Sequence, residues 1–161
     1  MSLRNSFLIF AAFAALVSCD KKRVFDEYKS VGSAWHKDSI VTFKLPVMDS
    51  VKEYNMFVNL RNDNDYPFSN LFLIVSLDMP NGMTKVDTLE YQMAAPDGTL
   101  LGDGFTDIKE SKLFYKEKVQ FKPSGEYQVS IRQAVRQNGK ISGVEKLEGV
   151  SEVGFRIESI E

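Results

Sequence analysis

Side chains able to do covalent or acid–base chemistry are few in this 161-residue chain, with one cysteine, Cys19, and one histidine, His36. A lone cysteine closes no internal disulfide, and no set of Cys and His has the spacing of a zinc site. His36 stands in the stretch SAWHKDS. As a base it would need a nucleophile on one side and an orienting carboxylate on the other, and the plainer reading is a histidine beside a packed tryptophan. Asp63 and Asp65 in NLRNDNDYPFSN, and Asp97, Asp103 and Asp107 in APDGTLLGDGFTD, could offer oxygens to calcium. Neither stretch has the spacing of a calcium loop, and Asp, Asn and Gly also stand in tight turns for backbone reasons. A carboxylate pair that cleaves a glycosidic bond is defined by a gap in space, which no spacing along the chain reveals. There is no G-x-S-x-G, phosphate loop or dinucleotide fingerprint. Nothing in these residues raises catalysis or a cofactor above background, and no metal site is expected.

Cys19 has other chemistry open to it. Arg4 gives the chain a positive start, Phe7 to Val17 is apolar and uncharged, and small Ser18 precedes the cysteine. At about eleven residues the run is too short for a membrane span, which needs about 20, and it reads as an export signal. The ending Leu16-Val17-Ser18-Cys19 resembles the lipobox of bacterial lipoproteins. That resemblance implies a thiol that receives a diacylglycerol, cleavage before Cys19, and acylation of the new amino terminus. Several acyl chains anchor firmly, because each buried CH₂ contributes roughly 0.8 kcal/mol. Residues 1–18 are then a signal peptide, and 19–33 a lipidated terminus and tether with room for a first strand. Residues 34–161 form the folded domain. Lys21, Lys22 and Arg23 either touch anionic headgroups, at about 1 kcal/mol each, or open a solvated linker.

These features must be carried by sheets. The net charge of −2 suggests no nucleic-acid partner. After the signal, period-two alternation replaces helical periodicity. Val41, Phe43 and Leu45 form one row; Met56, Val58 and Leu60 form another, with Asn55, Phe57 and Asn59 opposite. The run LFLIVSLDMP is nearly all apolar, as in a strand covered on both faces, and Pro80-Asn81-Gly82 ends it. Val86, Leu89, Tyr91 and Met93 line a further strand, and FTDIKESKLFYKEKVQF reads as two shorter strands meeting around Lys109 to Lys112. Tyr127, Val129 and Ile131 alternate cleanly, as do Phe155 and Ile157. About eight strands bounded by turns predict an all-β fold, a single antiparallel β-sandwich of jelly-roll or immunoglobulin-like type beginning near residue 24. Its expected core comprises Val41, Phe43, Leu45, Val58, Leu60, Leu73, Val75, Tyr91, Val129, Ile131, Phe155 and Ile157.

Aromatic residues crowd the centre: Tyr54, Phe57, Tyr66, Phe68 and Phe72, with Phe114 and Tyr115 later. Phe at strand spacing is more often core, yet Phe57 opposes an apolar row and belongs to the second face. Tyr66 and Phe68 flank Pro67 between two strands, at an end or edge of the sandwich. There they either plug the core or offer rigid contact area to a protein partner. A sandwich with central aromatics also suits a lipid-anchored carbohydrate-binding module, the alternative function.

The lipobox, SAWHKDS, NLRNDNDYPFSNLFLIVSLDMP, APDGTLLGDGFTDIKESKLFYKE, GEYQVSIRQAVR and GVSEVGFRIE together resemble the gliding-motility lipoprotein GldH family of the Bacteroidetes, over nearly the whole chain. The resemblance implies a non-enzymatic envelope lipoprotein needed for gliding by a machinery linked to type IX secretion. It implies anchoring to a bilayer, in either membrane, through acylated Cys19, and contacts with other gliding or secretion proteins. It implies no nucleic acid and no small-molecule cofactor. Tyr66, Phe68 and Asn70, and the pair Trp35-His36, match stretches typical of the family and are the candidate protein-contact residues.

Overall fold

The computed structural model describes residues 20–104 and 106–161; Cys19 and the apolar run before it lie outside the described residues. Where apolar and polar residues alternate, a strand forms, because one face can be buried while the other stays wet. Strands β1 (Arg23–Ser30), β10 (Val150–Ser159), β4 (Tyr54–Asn62) and β7 (Lys109–Val119) make one sheet in that order. A second sheet contains β3 (Val41–Lys44), β8 (Gln128–Gln133), β5 (Asn70–Asp78) and β6 (Thr84–Gln92), again in spatial order. A ribbon pairs β2 (Ala34–His36) with β9 (Lys146–Glu148). Every pairing is antiparallel. With the ribbon left out and the remaining strands renumbered along the chain, the sheets read 1-8-3-6 and 2-7-4-5. That is the order of a jelly roll, two Greek keys rolled into facing sheets.

The two inner faces meet through aromatic rings. Phe43 of β3 stacks on Phe155 of β10 at 6.3 Å, and Phe25 of β1 meets Phe43 edge-on at 6.4 Å. All the expected core residues are buried except Tyr91, which packs against the core from its margin. The Tyr91 hydroxyl donates to Phe114 O at 2.6 Å, bridging the two sheets. Burial of that ring pushes its pKa up to about 12.

Four expectations are corrected. The described residues form ten strands rather than eight: β1, for which the tether left room, and the short β2 and β9, which carry too little alternation to be read alone, are added, while two expected strands merge into one. Residues 109–119 form one strand, whose register shifts are absorbed opposite Tyr54 and Met56. Val86 faces solvent at the edge of its sheet, while Leu89 and Tyr91 turn inward. In β5, Leu71, Leu73, Val75 and Leu77 are buried, but Phe72 and Ile74 are only half-covered. That strand is packed on one face, and its outer face is left partly open.

The outer face of the first sheet is laced with ion pairs. Arg61 lies over the Tyr28 ring at 4.0 Å and reaches Glu110 at 3.0 Å and Glu152 at 2.7 Å. Arg156 binds Asp26 at 2.8 Å, Glu158 at 2.7 Å, and Asp20. Partial burial works against the Glu158 carboxylate, but hydrogen bonds from Lys112 and Arg156 outweigh it and hold the pKa below the usual range. Asp87 is lowered likewise: burial opposes, while Lys116 and the Tyr115 hydroxyl, each at 2.7 Å, prevail. A carboxylate with a depressed folded pKa contributes stability above its unfolded pKa and loses it as pH falls through the folded value. Thermal unfolding should therefore give a flat Tm from about pH 5 to 8 and a decline below about pH 4. Asp87→Asn should lower the plateau and make the acid decline shallower; an unchanged acid slope would refute this assignment.

Candidate functional site

The YPFSN segment stands at one end of the sandwich, and burial divides it. β4 closes at Asn62 and β5 opens at Asn70, so residues 63–69 cross from one sheet to the other. The crossing is built by turn chemistry: Asp63 Oδ1 accepts from Asp65 N at 2.9 Å, and Tyr66 N donates to Asp63 O at 3.3 Å. Asp97 behaves the same way, accepting from Thr99 N at 2.9 Å. Among the described residues, no three His, Cys, Asp or Glu side chains are grouped to hold a metal. Asp63 N donates to Gly149 O at 2.8 Å, bringing two backbones into contact. Gly149 is required there, with a φ of +83° and a space in which a Cβ would lie 2.3 Å from Tyr66 N.

Tyr66 is buried, and its hydroxyl donates to Asn70 O at 2.6 Å, so the ring closes the core like a lid. Desolvation raises its pKa well above the ordinary tyrosine value. Phe68 meets it edge-on at 6.2 Å and remains half-exposed. Ser69 O accepts from Met93 N at 2.7 Å, fastening the segment to the chain that leaves β6. Asn70 lies half-exposed at the head of β5.

Trp35 is fully buried, donating from Nε1 to Ser39 O at 2.9 Å. His36 is half-exposed; its Nδ1 accepts from Asp38 N at 3.2 Å, and its Nε2 lies 3.5 Å from Glu145. Glu145 in turn lines a cleft with Pro67 and Phe68, so His36 borders the same end of the domain.

Between the YPFSN crossing and the chain after β8 lies an open groove of about 990 Å³. Its apolar wall is Phe68, Phe72 and Ile74, and its rim includes Asn70, Arg136 and Gln137. An apolar floor with a polar rim is the anatomy of a protein-binding surface. The rim loop is held from beneath by Gln133, which is buried. Gln133 Nε2 donates to Val144 O at 2.8 Å, and its Oε1 accepts from Val135 N at 3.0 Å. The same loop exposes Ile141 by 94 %. Sequence reasoning missed Gln133, Arg136 and Ile141. Asn138-Gly139, with an isoleucine shortly after in an otherwise polar stretch, was the available sign. The exposed Phe114, edge-on to Phe57 at 6.1 Å, lies on the outer face of the other sheet and is no part of this groove.

A family model described as GldH lipoprotein matches residues 23–157. The chain is 70 % identical over 158 residues to the gliding motility lipoprotein GldH of Flavobacterium johnsoniae, covering 98 % of each chain. It is 54 % identical over 159 residues to the gliding motility lipoprotein GldH homolog of Christiangramia forsetii, covering 97 % of this chain and 98 % of that one. Among solved structures, a family GH115 4-O-methyl-alpha-glucuronidase aligns with a TM-score of 0.46 at 12 % identity, over 89 % of this chain and 18 % of that one.

Proposed function

The chain belongs to the GldH lipoprotein family, and we propose that it serves gliding motility as a non-enzymatic lipoprotein of the cell envelope. Acylated Cys19 holds it to the membrane, and the groove beside Phe68 takes a segment of another gliding or secretion protein. The observation that carries this reading is the uncovered outer half of β5. Phe72 and Ile74 line an open groove with Phe68, where an apolar wall meets a polar rim. Tyr66 acts beneath the surface, setting the height of Phe68.

The test pairs capture with stability. A photo-crosslinking residue at position 68 should trap a specific envelope protein in gliding cells, whereas one at exposed position 114 should not. Phe68→Ser should abolish gliding with Tm shifted by no more than a few degrees, as expected for a half-exposed ring. Normal gliding with Phe68→Ser would overturn the groove as the contact site. Glycan binding lost on the same change would favour the carbohydrate-binding alternative instead.

A further inference from the structure

We propose that the end of the sandwich where β1 begins rests directly on the bilayer, held there by the absence of any slack between anchor and sheet. This rests on acylation of Cys19 and is independent of what fills the groove. Asp20 follows Cys19 immediately and is already fixed: its carboxylate binds the Arg156 guanidinium, and its carbonyl accepts from Arg23 N at 3.3 Å. Lys22 O accepts from Ser159 N at 2.8 Å, and β1 begins at Arg23 opposite Glu158. A single residue spans at most about 3.6 Å, so a Cys19 at headgroup level keeps this end of the domain against the headgroups.

The surface at that end suits the position. Ile160 N donates to Glu53 O at 3.4 Å and Gln120 Nε2 to Val51 O at 3.0 Å, which sets the C-terminus, the 51–53 turn and the end of β7 side by side. Val51 is 75 % exposed, Val47 64 % and Ile160 41 %, none with a protein partner to cover it among the described residues. Lys21, Lys22, Arg23, Lys52 and Lys118 are exposed there too. Glu53, Glu117 and Glu161 share the surface. Attraction to anionic headgroups is therefore partial, and the short tether sets the orientation. β4 runs away from this end to Asn62, and β5 returns from Asn70. Nine residues at roughly 3.3 Å each place the YPFSN end of the groove about 30 Å from the headgroups.

Acylation consumes the chain's only cysteine, so one added cysteine can be labelled selectively. The full acylated protein, carrying a fluorophore at Val51→Cys or Asn138→Cys, would be reconstituted into phosphatidylcholine–phosphatidylglycerol vesicles with a headgroup nitroxide quencher. We expect several-fold stronger quenching at position 51 than at 138. A ten-residue Gly-Ser insertion between Cys19 and Asp20 should reduce that ratio toward one. Equal quenching at both positions without the insertion would overturn the proposal, as would a ratio that survives the insertion. Protein that fails to float with the vesicles would refute the anchor itself, and the orientation with it.

Discussion

Cells expressing Cys19→Ser should accumulate an uncut chain that carries no acyl group and still begins with the signal sequence. A hydroxyl is a far weaker nucleophile than a thiolate, so the diacylglyceryl transfer implied by the Leu16-Val17-Ser18-Cys19 lipobox has no acceptor. Cleavage before residue 19, which awaits that transfer, then stops. Intact mass of membrane-extracted protein distinguishes the forms: the native chain should start at Cys19 and carry acyl groups. Several acyl chains, at roughly 0.8 kcal/mol per buried CH₂, make native anchoring effectively permanent. Gliding should be lost although the sandwich is untouched. A mature native protein that retains residues 1–18, or that leaves the envelope without detergent, would refute the anchor.

Tyr66→Ala should be the most damaging single truncation in the YPFSN segment. The ring is buried and closes the core between β4 and β5, so its removal leaves a cavity costing about 3–5 kcal/mol. It also leaves the Asn70 carbonyl without the hydroxyl that donates to it at 2.6 Å. For a domain of this size the loss corresponds to roughly 10–20 °C in Tm. Tyr66→Phe removes only the hydrogen bond and should cost about 1 kcal/mol. The contrast with Phe68 is the informative part. Its ring is half-exposed, so truncation there should spare the melting curve and act on gliding. If Tyr66→Ala melts like the native protein, Tyr66 is not the closure of this end. If Phe68→Ala loses as much stability as Tyr66→Ala, the two rings form one plug and the groove loses its wall.

The two aromatics are alike in sequence and two residues apart, and they show where sequence reasoning stops. Their common placement at an end of the sandwich was legible, because turn residues interrupt the alternation between Asn62 and Asn70. Which ring turned inward was not: that depends on Gly149, which lies far along the chain and allows two backbones to touch at Tyr66. Trp35 is a similar case. Beside His36 it was a candidate contact residue by family resemblance, and it is fully buried against a ribbon strand too short to read.

The sequence by itself determined what is local: the rows of apolar side chains that became the inner faces, beside the four-residue lipobox that proposes the anchor. A period of two specifies which face a residue joins, since neighbouring side chains point to opposite sides of a strand. It does not specify which strand lies alongside, because backbone hydrogen bonds are chemically the same for every pairing and only the packing of the whole core selects among them. The jelly-roll order was decided there. So was the groove, since Phe68, Phe72, Ile74 and Arg136 become neighbours only when β8 pairs with β5 and the chain beyond it folds back over that strand's outer face.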